Sequence, residues 1–158
     1  MKQLNIVKVP ANTTNYEKNF SVLDCLSSTL DNKFDFIYGI AVIHMLVLDE
    51  DRDGFYQFIY NHLNDDGLAL ICTMGDGNIE IQSDINKAFE LQERDHDTGK
   101  IMVAGTSCRM VSFDTFEKEI NRNKLEIIEN KGEKGIANDF NFAVTCVDSE
   151  LVTVAHQD

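Results

Sequence analysis

Residues 34–77 read FDFIYGIAVIHMLVLDEDRDGFYQFIYNHLNDDGLALICTMGDG, and this stretch decides the fold class. Apolar runs at 34–38 and 68–73 predict two strands, and apolar residues at helical spacing predict a helix over 51–63 between them. A strand, a crossover helix and a second strand in this order build a parallel sheet. Such sheets bind ligands outside the carboxyl ends of their strands, and both ends here are small and polar.

The remaining sequence predicts further elements on both sides of this unit. Strands are predicted over 4–9, 20–23, 125–130 and 140–147, with a polar turn at 95–99 and an extended segment over 100–111. Helices are predicted over 83–93, with Ser83 as the cap, and from Phe113 to about Asn121, with Ser112 as the cap. Gly67 is suited to a left-handed cap after the helix over 51–63. The last two strands are separated by a short turn and are therefore antiparallel. We expect an α/β fold with a mixed, mostly parallel sheet flanked by helices and a C-terminal antiparallel hairpin, in one domain over 1–158.

Composition excludes several classes of protein. The chain has 158 residues and a formal net charge of −13, which disfavours contact with the phosphate backbone of a nucleic acid. No apolar run approaches the roughly 20 residues that a membrane span needs, and no signal peptide is evident. The four cysteines are widely spaced, which is typical of buried free thiols in a reducing compartment. We predict a cytoplasmic protein with no nucleic acid partner and no membrane partner.

A series of short motifs resembles one enzyme family. In chain order they are FSVLD at 20–24, FDFIY at 34–38, VIHML at 42–46, Asp51-Arg52 opening the helix, DGLAL at 66–70 and the hairpin over 125–147. Their order and spacing resemble class I S-adenosylmethionine-dependent methyltransferases over about residues 20–148, with the thiopurine-methyltransferase-like branch the most similar. The resemblance implies a Rossmann-like methyltransferase fold, S-adenosylmethionine as cofactor and a small-molecule acceptor.

The resemblance also implies a cofactor side. In the family an acid at a strand end lies near the adenine, and Asp24 with Cys25 stands at that position here. Tyr38, Gly39 and Ile40 would lie beneath the cofactor, and we expect the tips near Asp24 and Gly39 to lie side by side. The alternatives are an ordinary turn acid after a strand for Asp24 and a tight turn for Gly39.

Other residues are candidates for the acceptor side. His44 lies just past the first strand and is the candidate catalytic base, although a histidine in apolar company is also typical of a core. Gly75 and Asp76 lie in the loop after the second strand, with a flexible connector as the alternative. Arg94 and Arg109 flank a segment expected over the mouth of the site, where they would pair with an anionic acceptor or form surface salt bridges.

One departure from the family divides the functional hypotheses. No GxGxG loop precedes Asp24, so we expect a methyltransferase fold truncated on its N-terminal side, which is either active or inactive as this chain. The alternative is a non-catalytic binding or assembly module that forms a homodimer through an open sheet edge at Phe34–Tyr38, unless the N-terminal strand fills that edge. Residues 95–97 carry metal donors without a partner cluster, so no metal site is predicted.

Overall fold

The computed structural model describes residues 22–129, 131–132, 142 and 145–146. The elements among them are β1 (Phe34–Ile40), a 3-10 turn (Ile43–Met45), α1 (Asp49–His62), β2 (Leu63–Cys72), β3 (Ile81–Gln82), β4 (Leu91–His96), β5 (Gly99–Ala104), β6 (Arg109–Met110) and α2 (Phe113–Arg122). The strand predicted over 4–9 lies outside the described residues. None of the helices in the described part of the chain is long and apolar enough to cross a membrane.

The predicted strand, helix and strand unit is confirmed. β1 and β2 pair in parallel, with Ile37 opposite Ala69 and Ile40 opposite Cys72. Acids fill the first turn of α1, where the helix dipole favours negative charge. Gly67 lies within β2 and does not cap the helix; a β-carbon there would stand 2.9 Å from the carbonyl oxygen of Phe34, beside the register shift in β1. Glycine is therefore required for the two backbones to approach each other.

The helix predicted to begin at Ser83 is wrong. Asp84 uses its side chain and its carbonyl to close a turn, accepting from the backbone N–H groups of Asn86 at 3.0 Å and Lys87 at 2.9 Å. Such local bonds offer the backbone an alternative to a helix. The chain then enters β4, which pairs antiparallel with β5 across the predicted polar turn, where Gly99 has a φ of +112°.

The sheet is less parallel than predicted. In place of one sheet, the described residues form three two-stranded sheets. The β1–β2 sheet is parallel, and the β3–β6 and β4–β5 sheets are antiparallel. The strand predicted over 125–130 is wrong for residues 125–129, which are irregular, and at 22–23 no strand is present. The strand predicted over 140–147 falls mostly outside the described residues, but the Cys146 N–H donates to the Phe142 carbonyl at 3.2 Å, a helical spacing.

The core lies between α1, the 3-10 turn and α2. Phe55, Tyr56 and Ile59 of α1 pack with Ile43 and Ile120, and all are buried. Their spacing of three and four residues along α1 places them on one face of the helix. Fully burying a side chain such as Ile59 contributes about 1.5–3 kcal/mol, so this cluster fixes how the two helices sit against β1 and β2.

The predicted cap of α2 is confirmed and is open to test. The Ser112 hydroxyl accepts from the Thr115 backbone N–H at 3.3 Å and donates to Glu80 at 2.6 Å. We expect Ser112→Ala to lower the free energy of unfolding by about 1 kcal/mol, because the Thr115 backbone N–H loses its acceptor and Glu80 loses one of its donors. Urea denaturation measures this loss. Ser112→Thr keeps the hydroxyl and serves as the control, and an equal loss in both variants would contradict the capping role.

Candidate functional site

The carboxyl ends of β1 and β2 form one rim, as the sequence predicts for a parallel pair. Ile40 lies opposite Cys72, and the Ala41 N–H donates to the Cys72 carbonyl at 3.2 Å. Ala41 then turns the chain with a φ of +57°, a left-handed conformation that is uncommon outside glycine. This turn leads directly into the 3-10 turn that carries His44.

Two unpartnered polar atoms follow the ends of these two strands. His44 is 7% exposed, and within the described residues its Nδ1 atom has no hydrogen-bond partner. The hydroxyl of Thr73, just after β2, is also buried and also has no hydrogen-bond partner among the described residues. Burying a polar atom without a partner costs about 1–3 kcal/mol, so atoms of this kind often indicate a ligand or an ordered water. Sequence reasoning identified His44 and missed Thr73, whose only signal was its place after the strand.

The environment of His44 favours the neutral imidazole. Burial lowers its pKa below the ordinary value, and the positive charge of Arg52 lowers the pKa further. A neutral imidazole with an unpaired nitrogen is able to accept a proton, which is what a general base must do. The role of His44 as a base stays a prediction, because a buried core histidine has the same surroundings.

Asp24 and Cys25 lie in the turn that precedes β1. The Asp24 carboxylate accepts from the Leu26 N–H at 3.0 Å and from the Ser27 hydroxyl at 2.7 Å, and these bonds lower its pKa. The exposed carboxylate is thus ionised and partly engaged in its own turn. Cys25 is partly buried against the core cluster, and burial followed by the charge of Asp24 raises its pKa.

The end of β1 is shaped by the core. A β-carbon on Gly39 would stand 2.9 Å from Cζ of Phe55, so core packing alone accounts for a glycine here. Tyr38 is partly exposed and stacks on Phe36 with ring centroids 6.3 Å apart, and Ile40 ends the strand. Whether these residues lie beneath a cofactor, and whether the tip near Asp24 adjoins Gly39, remain predictions.

The loop after β2 is organised by local bonds. Gly75 and Gly77 both have positive φ angles, +123° and +82°. Asp76 lies between them and accepts from the backbone N–H groups of Asn78 at 2.9 Å and Ile79 at 3.1 Å, which lower its pKa. The Gly77 carbonyl accepts from the N–H of Phe113, so the loop is tied to the start of α2. Its role on the acceptor side remains a prediction.

The two candidate arginines lie in different surroundings. Arg94 lies in β4, an exposed strand of the hairpin. The side chain of Arg109 is only 15% exposed and forms an ion pair with Asp49 at 2.6 Å. A second guanidinium nitrogen of Arg109 lies 3.8 Å from a carboxylate oxygen of Glu119. It also donates to the Val47 carbonyl at 2.8 Å, beside the 3-10 turn. The structure thus brings Arg109 to the segment that carries His44. The pairing of either arginine with an anionic acceptor stays a prediction.

A buried ionic network that the sequence analysis missed lies under the site. Arg52 and Glu119 are fully buried and form a two-point ion pair with nitrogen to oxygen distances of 2.9 and 2.6 Å. The Tyr56 hydroxyl donates to the same carboxylate at 2.9 Å, and burial followed by the charge of Glu119 raises the pKa of Tyr56. The available signal was the spacing of Arg52, four residues before Tyr56 on the apolar face of α1.

A cleft of about 960 Å³ runs along β2 and faces α2 and the chain that follows it. None of the ten predicted site residues lines it, but Thr73 and Cys72 at the end of β2 do.

In the part of the chain that the structure describes, no three or more metal-binding side chains converge. The described cysteines are free, with three partly buried and Cys146 exposed, so the prediction of buried thiols holds in part.

Comparisons with known proteins add one distant likeness. No protein-family model matches this chain, and no curated protein sequence does. A solved S-adenosylmethionine-dependent methyltransferase is similar in structure. It comes from Clostridium acetobutylicum ATCC 824, is 16% identical and has a TM-score of 0.49, with 69% of this chain and 54% of that chain covered. This chain therefore spans about half the length of that protein.

Proposed function

We propose that this chain is an S-adenosylmethionine-binding domain of the class I methyltransferase type that acts on a small-molecule acceptor. The observation that carries the proposal is the rim formed by β1 and β2. It is followed by two buried polar atoms, on His44 and Thr73, that have no hydrogen-bond partner among the described residues. Ligands of open parallel sheets bind at this edge. The order of motifs that resembles the methyltransferases, including the thiopurine-methyltransferase-like branch, supports the same reading.

The residues fit the cofactor in part. The Asp24 carboxylate is exposed and ionised, and each of its oxygens has a further lone pair with which to accept an amino or hydroxyl hydrogen. Gly39 fits less well, because Phe55 fills the space beside it. When bound, S-adenosylmethionine supplies an electrophilic methyl group on a sulfonium, and its transfer depends chiefly on positioning.

His44 supplies the proton acceptor in this proposal. Its neutral imidazole takes a proton from a hydroxyl, thiol or ammonium group of the acceptor, which leaves that group with the lone pair needed for attack. Burial of the turn keeps water away from the imidazole and from the bond that forms. A small acceptor suits the site because the formal charge of −13 opposes a nucleic acid substrate.

Calorimetric titration with S-adenosylhomocysteine tests the cofactor assignment. We expect micromolar affinity for the unaltered chain and at least about tenfold weaker binding for Asp24→Ala, since a charge-assisted hydrogen bond contributes about 1.5–3 kcal/mol. Asp31→Ala removes another exposed acid of the same segment and is the matched control. Absence of heat at millimolar ligand, or equal binding by the two variants, would contradict the assignment of the site.

The second candidate is a non-catalytic binding or assembly module. The cleft along β2 favours it, because apolar side chains of β2 and α2 line that cleft and no described strand pairs with the far edge of β2. A homodimer through the β1 edge is part of this second candidate. A cytoplasmic location is proposed for both candidates. Sedimentation analysis separates the two: a stable dimer that does not bind S-adenosylhomocysteine supports the module.

A further inference from the structure

The carbonyl groups around His44 are held by side chains from other elements. We call residues 43–47 the rim segment. One guanidinium nitrogen of Arg52, in α1, donates to the Ile43 carbonyl at 2.8 Å and to the Leu46 carbonyl at 3.3 Å. These two carbonyls lie on either side of His44. Carbonyls of a short turn are ordinarily satisfied by water or by the backbone. Here the Ile43 carbonyl accepts from the Leu46 N–H at 3.1 Å and also from this buried arginine.

The other carbonyls of the rim segment have similar partners. The Ser107 hydroxyl donates to the Met45 carbonyl at 2.7 Å, and Arg109 donates to the Val47 carbonyl at 2.8 Å. The Gln82 amide reaches the same Val47 carbonyl at 3.4 Å. Four side chains from three stretches of the chain therefore hold the carbonyls of Ile43, Met45, Leu46 and Val47. Within the described residues, the Nδ1 atom of His44 in the same segment has no hydrogen-bond partner.

These donors are themselves held in place. Glu119 pairs with Arg52 through both carboxylate oxygens and accepts from Tyr56, and Asp49 pairs with Arg109. Each guanidinium is thus held by a carboxylate while it donates to the rim segment. Catalytic and binding sites use the same arrangement: the donors that hold a functional segment are themselves held by further hydrogen bonds. This keeps a side chain within a narrow range of geometry.

We propose that Ser107 and the Arg52–Glu119 pair are positioning residues for His44, and that they keep its imidazole buried and fixed in place at the rim. This inference rests on the proposed function for its purpose, and on the hydrogen bonds to the rim segment for its geometry. Among the described residues, the charged groups on the elements packed against the rim segment are Arg52 and Asp49 of α1, Arg109 of β6 and Glu119 of α2. Arg52 is the one whose charge lowers the pKa of His44.

The test removes one anchor while leaving the ionic network intact. In Ser107→Ala the Met45 carbonyl loses its donor, the rim segment loosens and water reaches His44. We expect the titration midpoint of His44, followed by NMR of its imidazole, to rise by about 0.5 pH unit or more toward the ordinary value near 6.5. Ser107→Thr retains a hydroxyl and restores the original midpoint. Gln82→Ala removes the weaker donor and gives a smaller shift in the same direction.

The control is Ser112→Ala, which removes a hydroxyl hydrogen bond at the start of α2, away from the rim segment. We expect it to leave the His44 midpoint unchanged. If Ser107→Ala and Gln82→Ala both fold and both titrate like the unaltered chain, the proposal is overturned. The NMR titration needs no cofactor, so it is independent of the S-adenosylhomocysteine titration. Failure of cofactor binding with a shifted His44 midpoint would remove the proposed function and leave the positioning role standing.

Discussion

Glu119→Ala lowers the free energy of unfolding by about 3–5 kcal/mol, because it leaves a fully buried arginine without its counter-charge. The Arg52 guanidinium loses both carboxylate bonds, and the Tyr56 hydroxyl loses its acceptor in the same step. A loss of this size is a large part of the 5–15 kcal/mol that stabilises a typical domain. Urea denaturation followed by circular dichroism measures it.

Lys100→Ala is the matched control for a surface ion pair. Lys100 and Glu93 approach to 2.5 Å, but their side chains are 65% and 55% exposed, so solvent screens the pair. We expect its loss to change the free energy of unfolding by less than about 1 kcal/mol. Glu119→Gln retains the shape and one acceptor and should fall between the two. A loss in Glu119→Ala as small as that in Lys100→Ala would show that the buried pair is not a stabilising contact.

Gly39→Ala is expected to lower the free energy of unfolding by about 1–3 kcal/mol. The backbone of Gly39 is that of an ordinary strand, so the cost arises from the added methyl group, which would stand 2.9 Å from Cζ of Phe55. This ring is part of the buried cluster, where interiors are close-packed and cannot yield without strain. Chemical denaturation of the single variant measures the loss.

A double-mutant cycle assigns that cost to one contact. Phe55→Leu removes the Cζ atom that Gly39 accommodates, so Gly39→Ala should cost less in this background, with a coupling energy of at least about 0.5 kcal/mol. Independent losses would mean that the glycine is required for another reason. The same variants, titrated with S-adenosylhomocysteine, report whether Gly39 also contacts the cofactor: a stable double variant that no longer binds would indicate such a contact.

Local patterns predicted much of the fold where they were strong. The apolar runs of β1 and β2, the helical spacing in α1 and the hydroxyl at Ser112 each led to the observed element. Prediction failed at Ser83, where an apparent cap was followed by Asp84. The Asp84 side chain bonds to the N–H two residues on and forms a turn, a competing use of a residue type that is also typical of helix starts.

The candidate site was predictable only in its outline. Position after a strand end identified His44, because the carboxyl edge of a parallel pair is where ligands bind. The ion pairs of Arg109 were not predictable from the sequence. Its partner Asp49 lies 60 residues earlier in the chain, and Glu119 lies 10 residues later. Sequence spacing carries little information about which distant charges meet, and so the buried network beneath the rim was missed.

By itself the sequence determined that β1, α1 and β2 form a parallel unit with His44 at its rim, because hydrophobic periodicity and a crossover helix are local properties of the chain. Only the tertiary structure decided that Arg52 and Glu119 meet in the core and that Phe55 fills the space at Gly39. Those contacts depend on how α1 and α2 pack, and packing is settled by the shapes and charges of side chains that are far apart in the chain.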